Sequence, residues 1–434
     1  MADIAATNSN SHSTGLKVMA MAAMGVVYFL SYFQRVAIPG PIFNDIQNDL
    51  QAPAAAVTAL SALFFYIYAG MQLLVGLAAD RYGGRRTLLV GGVLMVAGSF
   101  LFPLAHSLPL LYAARAVTGL GASFIFLSFI KEVDTLWHPR HFVLFWGLIA
   151  GIGNSGGLAA TAPFRWLADA VTWRHALLAV AALSAVALVA AGLTLRRLGD
   201  APAAPPRPLW QPLLGILRNR RSRPLIILSL IVFPVFFVVQ VTLGGKFLTD
   251  FCGVNARTAS LILMLMIGTT AGVSMLAEPL QRLAGQRRKL VSIVGVGLGL
   301  AATVAMVWGA RTQAPAGLFL ACFVLLAACT GIAPPALSTI MKEVNDPAVV
   351  SQSIAVVNCG AYVGMAVLSN FVGVVLDRYA DQAVTTAAGT VYPGAAYGAI
   401  FVVLAGLMLV ALVTVLFVGE TGGKGRIDYN SKNS

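Results

Sequence analysis

About twelve long apolar runs divide the chain, and they constrain its fold more than any other feature. Their approximate cores are 17–38, 55–79, 86–105, 109–133, 142–163, 174–197, 224–250, 256–279, 289–310, 315–341, 350–375 and 393–418. Each is long enough for the roughly 20 residues that a helix needs to cross a bilayer. Only 10% of the 434 residues are charged, against about 25% in soluble domains. The sequence therefore predicts an all-α membrane protein with twelve transmembrane helices.

The net charge of +13 could suggest nucleic-acid binding, but the placement of the charges argues against it. When the N-terminus is placed in the cytoplasm, most Lys and Arg fall in loops on the cytoplasmic side, as the positive-inside rule requires. We therefore expect a multi-pass protein of the cell inner membrane. Both termini should be cytoplasmic. The protein should interact with membrane lipids and not with nucleic acid.

One long break, 198–223, divides the predicted helices into two groups. It opens with Pro and Ala and closes with four arginines, which is typical of a linker with a segment at the lipid head groups. We expect a disordered cytoplasmic tail at 1–16, a six-helix bundle at 17–197, this cytoplasmic linker, a second six-helix bundle at 224–418, and a tail at 419–434. The four cysteines lack metal or disulfide spacing, and no cofactor is expected.

The two groups of helices repeat one another in order along the chain. Arg35 in the first apolar run and Lys246 in the seventh are 211 residues apart, and the same shift carries Lys-Glu-Val at 131–133 onto 342–344. Asn-Ser-Gly-Gly at 154–157 resembles Asn-Cys-Gly-Ala at 358–361. Because each half has an even number of helices, both halves keep the same orientation, and the repeat is parallel.

Residues 76–86, Gly-Leu-Ala-Ala-Asp-Arg-Tyr-Gly-Gly-Arg-Arg, resemble the loop motif between spans two and three of the major facilitator superfamily. Arg115 to Gly121 is similar to the Arg-x-x-x-Gly-x-Gly motif of its fourth span, and Thr-Trp-Arg at 172–174 resembles its Gly-Trp-Arg. The resemblance implies two pseudo-symmetric six-helix bundles that form a secondary transporter working by alternating access, and not an enzyme.

Charged residues near the predicted cytoplasmic helix ends are candidates for gating. Asp80 can pair with an arginine or a helix N-terminus and act as a conformational latch, while the arginines of its loop can also serve only as topology anchors. Arg115 has two interpretations, coupling or substrate contact inside the bundle, and a structural hydrogen-bond hub. The candidate gating and coupling residues are Asp80, Arg81, Arg85, Arg86, Arg115, Glu132, Glu278 and Glu343.

Cations inside predicted spans indicate an anionic cargo, because a charge in the membrane is costly without a function. Arg35 and Lys246 are arranged as in organic-anion and organophosphate branches of the superfamily, although Lys246 could instead reach the outer interface. Tyrosines could also be packing residues, and asparagines beside glycine could be helix-packing groups. The candidate substrate-binding residues are Arg35, Lys246, Tyr28, Tyr32, Tyr68, Gln72, Gln240, Asn154 and Asn358, with Gln34 as a further lining group.

The most consistent hypothesis is a monomeric carrier of a small organic anion or zwitterion, coupled to protons or to a counter-substrate. Residues 32–36 and 66–72 resemble bacterial permeases of a branch that includes phagosomal amino-acid transporters, which favours carboxylates or amino acids. A proton-coupled drug or siderophore exporter is the alternative, disfavoured because no Asp or Glu lies in the middle of a span. A membrane enzyme would need clustered catalytic residues, and a non-transporting receptor would differ only in a flux assay.

Overall fold

The computed structural model describes residues 14–137, 142–198, 210–346, 350–386 and 389–421. Its helices are α1 Thr14–Ala37, α2 Phe43–Leu50, α3 Ala54–Tyr82, α4 Gly84–Leu104, α5 Leu108–Leu136, α6 Phe142–Ala159, α7 Ala162–Val171, α8 Trp173–Arg196, α9 Trp210–Arg218, α10 Arg223–Ser229, α11 Val232–Phe237, α12 Gly244–Asp250, α13 Ala256–Met275, α14 Ala277–Leu283, α15 Arg288–Thr312, α16 Ala316–Glu343, α17 Val350–Arg378 and α18 Gly394–Leu416. Strands β1 Val384–Thr386 and β2 Gly389–Val391 form an antiparallel hairpin.

The long helices confirm the predicted all-α membrane fold. Within the described residues, eleven helical segments are long and apolar enough to cross a membrane. The fifth predicted span, 142–163, corresponds to α6, which ends earlier, at Ala159. The full count of twelve stays a prediction. The predicted tails fall largely outside the described residues, as does the part of the linker at 199–209.

The chain divides into two compact units. The first comprises Met1–Ala37 and Gly70–Arg207, and the second comprises Ile38–Ala69 and Pro208–Ser434. The first part of α3 therefore belongs to the second unit, and its last part belongs to the first. The predicted bundle borders at 17–197 and 224–418 stay a prediction.

Close helix contact at glycines organises the first unit. A side chain at Gly121 of α5 would place its Cβ 2.1 Å from the backbone nitrogen of Met95 in α4. At Gly98 of α4, the added Cβ would lie 2.4 Å from Thr118 Oγ1. Small residues let helix backbones approach closely in a membrane, where packing drives association. This contact fixes the position of α5 against α4.

Span seven of the second unit is broken into several pieces. Helices α10 and α11 are followed by a π-helical segment, Val238–Leu243, and then by α12. Phe247 of α12 packs against five other rings, with centroid distances of 4.8 to 6.3 Å. Because π-helical turns are rare and concentrate at functional sites, the break makes this span a candidate for function.

Short elements in the loops were not predicted from the sequence. Helices α2 and α7 and the hairpin have three to ten residues each, too short for a clear periodic pattern. Helix α9 occupies the part of the linker predicted to be interfacial. Leu213 and Ile216 of α9 are buried against the protein, while Leu214 and Leu217 are exposed, so α9 also presents apolar side chains away from the protein.

Replacing Gly121 by Ala should destabilise the first unit, because the new methyl group would collide with backbone atoms that cannot move away cheaply. We expect a loss of about 1–3 kcal/mol, the usual cost of overpacking. The measurement is the thermal unfolding midpoint of purified protein. Gly151→Ala is the matched control, since its Cβ would meet nothing within 4 Å. Equal midpoints for the two variants would contradict the described contact.

Candidate functional site

Arg35 lies in the last turn of α1, on a helix face that it shares with two tyrosines. Its guanidinium carbon is 4.6 Å from the centroid of the Tyr32 ring, within the range of a cation–π contact. The Tyr28 and Tyr32 rings meet edge to face at 6.3 Å. Spacings of four and three residues place the three side chains on one side of the helix, as the sequence predicted. The structure thus brings these three candidate residues together.

Arg115 of α5 is fully buried and contacts the end of the same helix. Its Nη1 atom donates a hydrogen bond of 2.8 Å to the backbone oxygen of Gln34. The last four carbonyls of a helix have no intrahelical partner, and a cation is favourable at that end. Gln34 directly precedes Arg35, so both arginines lie at the C-terminal end of α1 inside the first unit.

Three buried glutamines each have an amide nitrogen that makes no hydrogen bond within the described residues. These are Nε2 of Gln34 and Gln72 in the first unit, and Nε2 of Gln240 in the second. Their exposed fractions are only 2%, 3% and 2%. A buried donor without an acceptor costs about 1–3 kcal/mol. Such a cost is acceptable where a ligand supplies the acceptor, so these amides favour a ligand rich in oxygen.

Gln240 lies in the π-helical segment of span seven, in the second unit. In the same segment, the hydroxyl of Thr242 is 3.1 Å from that of Ser369 in α17. The Tyr68 ring of α3 packs against the Tyr362 ring of α17 at 4.3 Å. Tyr362 was missed by sequence analysis, because a lone tyrosine in an apolar run carries no signal of its own.

Lys246 is held by groups of the second unit. Its ammonium lies 3.1 Å from Asp250 Oδ2, one helical turn later in α12. It also donates to Asn44 Oδ1 at 2.9 Å and to the backbone oxygen of Thr390 at 2.6 Å. The lysine and aspartate side chains are 0% and 2% exposed. Asp250 was missed as a functional candidate, although its spacing of four residues from Lys246 is the signal of a helical ion pair.

Asn154 and Asn358 are partly exposed, and the glycines beside them explain the repeated pattern. A Cβ at Gly156 would lie 2.3 Å from the backbone oxygen of Phe29 in α1. A Cβ at Gly360 would lie 2.3 Å from Ser229 Oγ in α10. In each unit, the repeat therefore places a glycine against the first helical segment of that half. This geometry favours the helix-packing interpretation of both asparagines.

Comparison with known proteins decides the family. The model of the Major Facilitator Superfamily matches residues 24–367. The chain belongs to the major facilitator superfamily. It is a transporter and not an enzyme.

Several related proteins have names that include a substrate. Mouse Monocarboxylate transporter 11 is 28% identical over 315 residues, which cover 69% of this chain and 68% of the mouse protein. The Probable sulfoacetate transporter SauU of Cupriavidus necator is 27% identical over 172 residues, only 38% of each chain. A crystal structure of a mutant of the nucleoside transporter NupG superposes with a TM-score of 0.74 at 14% identity, over 93% of this chain and all of that one. That likeness shows the fold alone.

The charged residues of the loop motif at 76–86 differ from one another in their exposure. Arg81 and Arg86 are exposed, and Arg85 is half-buried. The guanidinium of Arg81 lies 5.5 Å from the Tyr82 ring. The side chain of Asp80 lies outside the described residues, so its latch role stays a prediction.

Two of the predicted gating glutamates each contact the first turn of another helix in their own unit. Glu132 Oε1 accepts a hydrogen bond of 2.6 Å from the backbone nitrogen of Arg85, in the first turn of α4. Glu343 pairs with Arg288, the first residue of α15. A carboxylate is favourable at a helix N-terminus. By contrast, Glu278 pairs with Arg282 at the surface, with exposed fractions of 73% and 70%. The structure therefore gives Glu132 a capping role and Glu343 an ion pair with the side chain of Arg288, and their part in gating stays a prediction.

Glu132→Ala should destabilise the transporter more than Glu278→Ala, because only Glu132 is a buried cap of a helix. Loss of a capping side chain costs about 0.5–2 kcal/mol, while an exposed ion pair contributes little. The thermal unfolding midpoint of each purified variant measures the difference. A larger loss for Glu278→Ala would show that the capping contact is not important.

Proposed function

We propose that this transporter carries a small organic anion or zwitterion, such as a carboxylate or an amino acid, across the cytoplasmic membrane by alternating access. The observation that supports this proposal is the pair of buried arginines, Arg35 and Arg115, which both lie at the C-terminal end of α1 inside the first unit. In a low dielectric, each charge interacts more strongly than in water. An anion that approaches both groups is attracted by their combined charge.

The remaining groups of the first unit suit the same cargo. A planar guanidinium can bind a carboxylate through two parallel hydrogen bonds, which fixes the orientation of the ligand as well as its charge. The Tyr32 ring under Arg35 holds the guanidinium plane in place. The amide donors of Gln34 and Gln72 can bind further oxygens of the cargo. These groups give the first unit buried donors that suit an oxygen-rich anion.

The relatives support an anionic cargo by their names, which refer to monocarboxylates and to sulfoacetate. Both are organic acids that are ionised at neutral pH. We further propose that both termini are cytoplasmic, that the transporter is a monomer, and that a proton or a counter-substrate drives the cycle. Lys246 lies in the second unit, where it is paired with Asp250, and its contact with cargo stays a prediction.

A thermal-shift screen of the purified full chain tests the cargo class directly. Acetate, lactate, sulfoacetate, glycine and inorganic phosphate are compared at equal ionic strength with a chloride control. A ligand that binds only the folded state at about 100 times its dissociation constant stabilises it by about 2.7 kcal/mol. We expect at least one of the organic anions or zwitterions to raise the midpoint. No shift with any of the organic anions or zwitterions would contradict the proposal.

Substitutions at Arg35 test its contact with the cargo. Arg35→Lys should already weaken binding, because the planar fork is lost while the charge remains. Arg35→Gln should cost more, about 2–5 kcal/mol of binding free energy if the pair is desolvated around the anion. Isothermal titration with the anion that stabilises the parent gives both values.

Arg311→Gln is the matched control for this series, because Arg311 is an exposed arginine near the end of α15. It removes the same charge from the chain without touching α1. Affinity that falls equally in Arg35→Gln and Arg311→Gln would indicate only a general effect of net charge.

A further inference from the structure

Lys246 and Asp250 join three other elements of the second unit to α12. The lysine ammonium has three N–H donors, and three acceptors surround it: Asn44 Oδ1 of α2, the carbonyl oxygen of Thr390 in β2, and Asp250 of α12. The rings of Phe43 and Tyr392 lie 5.5 and 5.2 Å from the same nitrogen. In this conformation, the donors of Lys246 are fully used by the protein.

Asp250 extends the network to the start of the last long helix. Its Oδ2 atom accepts a hydrogen bond of 2.7 Å from the hydroxyl of Tyr397 in α18 and one of 3.1 Å from the backbone nitrogen of Tyr392. Burial raises the pKa of the Tyr392 phenol, so this ring stays neutral near pH 7. The phenol oxygen accepts a hydrogen bond of 3.3 Å from Gln47 of α2. We call this network the clasp: Lys246, Asp250, Asn44, Thr390, Tyr392 and Tyr397.

The elements joined by the clasp come from opposite ends of the chain. Helix α2 follows the first span, and the hairpin lies between the last two spans. Positive-inside sorting of the charges places both segments on the non-cytoplasmic side. A carrier that alternates its access must separate such segments each time that side opens. A charge pair buried among these segments either breaks when they separate or moves together with one of them.

The segment before α12 gives the clasp a means of moving. The π-helical segment Val238–Leu243 interrupts the helix directly before Gly244. Because π-helical turns break the regular hydrogen-bond ladder, they are frequent at bends in helices and at functional sites. The backbone of the loop after α1 rests on this segment, since a Cβ at Gly40 would lie 2.8 Å from the carbonyl oxygen of Val241. The break in the helix therefore lies directly before α12, which carries Lys246 and Asp250.

We infer that the clasp is the closure of the non-cytoplasmic side of the transporter, and that release of Lys246 from Asn44 and Thr390 opens it. The inference rests on the alternating access proposed above, but not on the identity of the cargo. It assigns Asp250 a role in conformational exchange. It also explains how a lysine inside a span can be stable in the absence of cargo.

Hydrogen–deuterium exchange on the full chain in lipid nanodiscs, with no organic anion added, tests the inference. The variant is Asp250→Asn, which keeps the shape of the side chain and removes its charge. We expect amides of 43–50 and 389–393 to exchange at least about tenfold faster than in the parent, while α4 and α5 keep their protection. The unfolding midpoint should fall further than in the control, because the buried lysine loses its counter-charge, but protection outside the two segments should remain.

Asp169→Asn is the matched control, because Arg165 and Asp169 form a pair with the same four-residue spacing inside α7. It should leave exchange at 43–50 and 389–393 unchanged. Unchanged exchange in Asp250→Asn, or a general loss of protection together with a lower midpoint, would overturn the inference and make the pair purely structural.

Tyr397→Phe provides a second variant in case Asp250→Asn does not fold. It removes one hydroxyl donor to Asp250 and keeps the ring in its buried place. The same two segments should exchange faster, by a smaller factor, with the rest of the chain unaffected. Because no cargo is present, failure of this test leaves anion binding at Arg35 untouched. Failure of the anion screen likewise leaves the exchange result standing.

Discussion

Charge buried in an apolar chain must find a partner close by, because a lone ion in a medium of low dielectric is far more costly than one in water. The described ionisable groups of this transporter follow that requirement. Lys246 is enclosed by Asp250, an amide oxygen and a carbonyl oxygen. Arg115 is set against the carbonyl end of α1. Where the partners come from several elements, as at Lys246, the charge also joins those elements together.

Arg35 and Arg115 show how one such contact prepares a binding site. By bonding to the oxygen of Gln34, Arg115 satisfies the end of α1 directly beside Arg35. Tyr32 supports the Arg35 guanidinium from its own helix. Both cations therefore reach defined positions before any cargo arrives. Preorganised groups of this kind bind a ligand without the cost of ordering mobile side chains.

Corresponding residues of the internal repeat have the same role at some positions and different roles at others. Gly156 and Gly360 serve the same packing role in the two units, and Glu132 and Glu343 contact the first turns of α4 and α15. Arg35 and Lys246 also correspond in sequence, but their surroundings differ. Arg35 stacks on a tyrosine, whereas Lys246 is paired with Asp250, which has no counterpart four residues after Arg35, where Pro39 stands. Packing has been kept in both halves while the cations have taken separate roles.

The sequence alone determined the class of fold, because long apolar runs in a bilayer can satisfy their backbone groups only as helices. It also determined the family, through the loop motif at 76–86, and the shared face of Tyr28, Tyr32 and Arg35, through helical spacing. Only the tertiary structure decided the contacts of Lys246 with Asn44 and Thr390, the contact of Arg115 with Gln34, and the orphan amides of the glutamines. The contacts of Lys246 and Arg115 named here join residues that are 81 or more positions apart. Local periodicity carries no information about which distant acceptor a buried donor will meet.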